Sequence, residues 1–89
     1  MEFEWDPAKA LSNEEKHRIR FDAAVAVFGD ADRIEFDVTQ ATQGEERRKV
    51  VGRVDGRLLS LVCTERAGII RVISARRANG QEVRRYEAR

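Results

Sequence analysis

One cysteine and one histidine stand among 89 residues, and each scarcity closes off a class of protein. A single thiol, Cys63, makes no internal disulfide and builds no thiolate zinc site. No multi-histidine cluster exists, and the phosphate-cradling loops G-x-x-x-x-G-K-[S/T] and G-x-G-x-x-G are missing, so zinc chemistry and nucleotide hydrolysis have no support. No apolar run nears the roughly 18 residues that span a bilayer, and Met1 is followed by the acidic Glu2, Glu4 and Asp6. Neither a transmembrane helix nor a secretory signal is expected, and the default location is the cytoplasm. The acids Asp30, Asp32, Glu35 and Asp37 are spaced as a solvated strand face rather than a magnesium cage. An enzyme acting on a polyanion with this inventory is expected to work without metal or other cofactor.

What remains is a short chain with enough apolar residues to fold. At 42% hydrophobic against 37% charged, residues 1–89 are expected to form one small domain rather than a disordered segment. The net charge of +1 hides an asymmetry. Residues 1–44 hold ten acids and five bases, whereas residues 45–89 hold six acids and twelve bases, eleven of them arginine and one Lys49. Arginine's planar fork matches phosphate oxygens two at a time and stacks on bases, so the second half points to a polyanion or an acidic protein partner. The competing reading is a set of solvated faces balanced by the acidic half.

The periodicities predict an α+β fold. Glu2 to Trp5 alternates as a short strand. Asp6-Pro7 opens a helix to about His17, with Ala8, Leu11 and Glu15 or the Lys16 stem inward. Phe21, Ala24, Val25 and Phe28 mark a second helix ended by Gly29, with Ile19 packing into the same core. Strands follow at 33–38, 46–54, 58–64 and 69–76, with turns at Asp55-Gly56 and Ala67-Gly68, and the stretch apolar on both faces, Leu58–Thr64, is expected to be central. Asn79 and Glu82 form a capping box for a last helix, Gly80–Glu87, anchored by Val83 and Tyr86. The expectation is a small, mainly antiparallel sheet with two N-terminal helices and a C-terminal helix, all gathered on one face.

In the last strand Ser74 and Arg76 share a face, and Arg71 points away unless a bulge intervenes. Arg66 closes the preceding strand. Arg66, Ser74, Arg76 and Tyr86 are expected to meet on one concave surface, where two guanidinium forks, a hydroxyl and a phenol would bind phosphate well. His17, the only imidazole, stands at a helix C-terminus and is an acid–base candidate by residue type. Cys63 and Trp5 read as core residues.

Taken as whole phrases, F-E-W-D-P-A-K-A (3–10), N-x-x-K-H (13–17), F-D-A-A-x-x-V-F (21–28), E-E-R (45–47), D-G-R-L-L (55–59), T-E-R-x-G-x-I-R-V-I-S-A-R-x-A (64–78) and E-x-x-x-Y (82–86) resemble the BrnT family across essentially the whole chain. The resemblance implies a RelE-like fold and the toxin of a type II toxin–antitoxin pair. It implies a metal-independent endoribonuclease that arrests translation and growth, using Arg66, Ser74 and Arg76 with His17 or Tyr86 as acid–base groups. Arg66, Arg71, Arg76, Arg77, Arg84 and Arg85 would bind the RNA. The implied partner is a BrnA-type ribbon-helix-helix antitoxin, in a two-to-two complex that binds operator DNA through the antitoxin. Where the family commonly reads K-H-G-V-S-F, this chain has Lys16-His17-Arg18-Ile19-Arg20-Phe21, losing a left-handed glycine cap and a serine N-cap. Two other classes stay open at this point: a non-catalytic binding module, and a toxin of the same fold aimed at a protein target such as DNA gyrase.

Overall fold

Two hairpins set the frame. Asp55 and Gly56 both take positive φ (49° and 80°), as do Ala67 and Gly68 (52° and 80°). Positive φ at both turn positions matches the right-handed twist of the strands they join. These turns link β3 (Arg48–Val54), β4 (Arg57–Arg66) and β5 (Ile69–Arg77) into an antiparallel meander, with β2 (Ile34–Asp37) antiparallel on the far side of β3. β1 (Glu2–Glu4) completes the sheet by pairing parallel to the start of β5, giving the order β1-β5-β4-β3-β2. The computed structural model describes residues 1–88, and its helices are α1 (Pro7–His17), α2 (Phe21–Ala24) and α3 (Gly80–Glu87). The architecture is the α+β arrangement expected, with β4 central. Among the described residues no helix is long and apolar enough to cross a membrane.

One face of the sheet, here the back, carries Val50 and Val54 of β3, Leu59, Leu61 and Cys63 of β4, and Val72 and Ala75 of β5. Ile19, Phe21, Ala24 and Val27 pack on it, and every one of these residues is buried. Gly52 lies on the same face under Val27. A Cβ there would come within 3.0 Å of the Val27 carbonyl oxygen, so the close approach of backbone to sheet requires glycine.

Four expectations about the helices are corrected here. The second helix is one α-helical turn that tightens into a 3₁₀ turn at Val25–Gly29. Its buried residues are Phe21, Ala24 and Val27, the three-residue repeat of a 3₁₀ path rather than the 3.6 repeat of an α-helix. In α1 the inward residues are Ala10, Asn13 and His17, while Ala8, Leu11, Glu15 and Lys16 are exposed. The reason is that α1 packs along β5 beyond the end of β1, where strand pairing stops. Asn13 supplies the missing partner: its Oδ1 accepts from Ala75 N (3.1 Å) and its Nδ2 donates to the Ala75 carbonyl (2.8 Å) and to that of Ile19 (3.1 Å). A buried amide is therefore hydrogen-bonded where an apolar residue would leave two backbone groups unpaired.

The helices also do not gather on one face. α3 crosses to the front, against Lys49, Val51, Ser60 and Arg76, which the strand register places together on that side. Its capping box forms as expected, Asn79 accepting from Glu82 N and Glu82 accepting from Asn79 N. Its buried anchors, however, are Glu82 and Tyr86, with Val83 only half-buried.

Candidate functional site

The site begins with an irregularity in β5. Val62 pairs with Ser74, yet Cys63 pairs with Val72, so Ile73 is an extra residue opposite no partner. Strict alternation puts Arg71 and Ser74 on opposite faces; one inserted residue reverses that. The bulge therefore places Arg71, Ser74 and Arg76 on the front face together. Arg71 is tied there to Glu4, its neighbour across the parallel pair, at 2.8 Å.

The most organised part of this face is centred on Glu82. Its residue is 4% exposed, and its carboxylate accepts from Arg76 Nη1 (2.8 Å) and Nη2 (2.9 Å), from Lys49 Nζ (2.7 Å), from Asn79 N (2.9 Å) and at longer range from Ser60 Oγ (3.4 Å). Burial pushes the carboxyl upward, but the hydrogen bonds from Arg76, Lys49 and Asn79 outweigh it and hold it down at about 2. The same bond raises the Arg76 guanidinium. Two parallel bonds fix the plane of that guanidinium, and a third goes to the Arg77 carbonyl (3.1 Å). Its Nε–H and one Nη2–H have no partner among the described residues. Arg76 and Lys49 together exceed Glu82 by one positive charge. The result is a cation held rigidly at the surface, with a hydroxyl, Ser74, two residues away on the same strand.

The other expected residues spread out from this centre. Arg66 shares the front face, but it lies six residues along β4 from Ser60, the partner of Arg76, or about 20 Å at the usual strand rise. It pairs with Glu45 at 3.0 Å, which also takes Arg47 at 3.3 Å. The expected meeting of Arg66, Ser74, Arg76 and Tyr86 on one spot is thus corrected to a line of cations along one face. Tyr86 is 3% exposed, donates its hydroxyl to Asp30 (2.7 Å) and lies under the Arg53 guanidinium, away from Ser74. His17 closes α1 at the edge of β5, and no hydrogen bond or ion pair joins it to Arg66, Ser74, Arg76 or Tyr86 among the described residues. Arg77 ends β5 exposed beside Leu59, on the back-face side of the register. Arg84 and Arg85 occupy the last turn of α3, Arg85 stacking over Phe36 at 4.7 Å.

Lys49 and the full role of Glu82 are what the sequence reading missed. No local pattern marked Lys49, because it closes the charged run Glu45-Glu46-Arg47-Arg48, and only the strand register sets it between Phe36 and Val62 on the front face. Among the described residues no three of His, Cys, Asp and Glu converge as a metal site. Cys63 is buried in the back-face core, and that burial raises its thiol to about 11, so it is a packing residue rather than a nucleophile.

A family model describing the ribonuclease toxin BrnT of type II toxin–antitoxin systems matches residues 5–82, which include Lys49, Arg66, Arg71, Ser74, Arg76 and Glu82. A search of the curated proteins found no match to the chain.

Proposed function

The chain belongs to the BrnT family of ribonuclease toxins of type II toxin–antitoxin systems, and from that premise we propose that its front face is the RNA-cleaving surface. The observation that carries this reading is the Arg76 guanidinium held by a buried carboxylate beside Ser74 and Lys49. In this reading Arg76 and Lys49 take the scissile phosphate, Ser74 orients it, and Arg71 and Arg66 take phosphates further along the strand. The substrate's 2′-hydroxyl passes its proton to solvent as its oxygen bonds to phosphorus, and the bond from phosphorus to the 5′-oxygen breaks with that oxygen taking a proton from solvent, giving an internal cut with a 2′,3′-cyclic phosphate; the 2′-hydroxyl is what selects RNA over DNA. Fixed cations match the charge that develops at phosphorus better than at rest, which is where catalytic stabilisation arises. Metal independence fits the donor set, because both oxygens of Glu82, the buried carboxylate at the centre, already accept from cations. His17, at the C-terminal end of α1, and Tyr86, whose hydroxyl donates to Asp30, stand on other elements and take no direct part in this reading.

The action belongs in the cytoplasm, where RNA cleavage would arrest translation and growth. The partner is a BrnA-type ribbon-helix-helix antitoxin in a two-to-two complex, whose acidic segment covers the same cations and whose other domain binds operator DNA. RNA integrity after incubation in excess EDTA tests the core of the reading. Wild type should cleave, and Arg76→Ala should lose roughly 10²–10³ in rate. Arg76→Lys, which keeps the charge but not the fork, should fall between. Binding of RNA by the wild type without cleavage under any condition would favour the non-catalytic binding module instead.

A further inference from the structure

Phe36 is an aromatic residue that the core does not use. It belongs to β2, the outermost strand, and faces the front, where its direct partner across the pair is Lys49. An aromatic at such an edge is ordinarily capped by apolar side chains from the helix above, yet the helix above offers Gln81 and Arg85. Arg85 lies over the ring at 4.7 Å and Lys49 at 5.4 Å. Between β2 and α3 this leaves a hollow of about 240 Å3, lined by Phe36, Val38, Lys49, Asn79, Gln81 and Arg85, with Glu82 at its inner end. That volume is below the range of about 300–1,000 Å3 usual for drug-sized ligands and suits a single planar ring.

We propose that this hollow is a subsite for one unpaired base of single-stranded RNA, adjoining the phosphate held at Arg76. The proposal rests on the ribonuclease reading of the front face and adds to it where the neighbouring base goes. Three features carry it. Lys49 belongs to both places: its Nζ is 2.7 Å from Glu82, which holds Arg76, and 5.4 Å from the Phe36 ring centre. A phosphate at Arg76 and Lys49 therefore sets the next nucleotide beside the aromatic ring. The Phe36–Arg85 stack is a platform on which a base forms one more layer, since every base has a π face and guanidinium groups stack on it as well. The rim carries the exposed amides of Asn79 and Gln81. Asn79 Oδ1 already accepts from Glu82 N, which leaves its NH2 to donate, while Gln81 can both donate and accept, as the edge of an unpaired base requires. Stacking holds any base, and these two amides set whatever preference the enzyme has.

The test uses a short single-stranded RNA carrying 2-aminopurine, with a 2′-deoxy sugar at the cut position so that it binds without being cleaved. Wild-type protein should change the fluorescence of the probe as the base stacks. Phe36→Leu, close in volume and on an edge strand, should lose that signal and weaken binding about tenfold. The slope of affinity against salt should stay unchanged, because no phosphate contact is removed. Gln81→Ala, at an exposed helix position, should leave the stacking signal and alter the preference among bases. If wild type and Phe36→Leu bind with equal affinity and equal signal, the subsite is overturned while the cationic face stands. If wild type binds no RNA at all, the reading of the whole face falls with it.

Discussion

The two ends of the front face hold their cations in different ways. At one end Arg76 and Lys49 meet a carboxylate whose side chain is 5% exposed, with five donors converging on it. At the other end Arg66, 59% exposed, meets Glu45 at the surface. Both are ion pairs by distance, at 2.8 and 3.0 Å. Only the first fixes a geometry, because burial removes competing water and the capping box locks the carboxylate from its other side. An enzyme that stabilises a transition state needs donors already in place, whereas one that gathers RNA needs only charge. The end that holds Arg76 is therefore suited to chemistry and the end that holds Arg66 to attraction.

That contrast breaks most visibly at Glu82. Glu82→Ala removes one partner of a buried pair and the third residue of the cap at once, leaving Arg76 and Lys49 to repel each other. Allowing for the partial exposure of the two cations, urea unfolding should show a loss of about 2–3 kcal/mol. An unchanged urea midpoint would mean that the cluster is an ornament of the surface.

The acid limb of stability sharpens the same point. Glu82 titrates at about 2 in the folded protein against an ordinary 4.5, so folding favours its ionised form. Its contribution is complete above about pH 5 and is lost as pH falls towards 2. The gap in urea midpoint between wild type and Glu82→Gln should accordingly be largest near neutrality and shrink steadily in acid. A gap that stays constant down to pH 3 would show that the charge of Glu82 plays no part.

The smallest effect belongs to Arg66. Arg66→Ala should leave the urea midpoint where it is, as expected for an exposed pair. It should still lower the slope of log affinity for RNA against log salt by about 1, uniformly across sequences. A large loss of stability, or a rate loss as deep as that of Arg76→Ala, would erase the difference between the two ends.

The elements themselves were legible because their causes are local. Asp6 with Pro7, Asp55-Gly56, Ala67-Gly68 and the Asn79/Glu82 box each act over two to four residues, and the structure places a helix start or a turn at every one. The departures from the family phrase were legible too. Arg18 adopts φ 61° where glycine would be unstrained, and Arg20 opens α2 without a side-chain cap. The inward face of α1 was not legible, because Leu11 satisfies a helical stripe as well as Asn13 does. Only the unpaired edge of β5 makes the amide the better residue to bury.

The site was half visible for a related reason. Alternation along β5 united Ser74 with Arg76 at once, but the position of Arg71 depended on whether Ile73 was an extra residue. That is decided by the register against β4, which no pattern within β5 contains. The sequence by itself determined the strands, the turns, the cap of α3 and the division between an acidic and an arginine-rich half, since periodicity, turn chemistry and composition are properties of neighbouring residues. Tertiary structure alone decided that α3 crosses to the front, that Glu82 gathers Arg76, Lys49 and Ser60, and that Arg66 stands apart from them. Those outcomes follow from pairings between residues 6 to 33 positions apart, where the cost of burying a carboxylate is offset only once its partners have been brought to it by the fold.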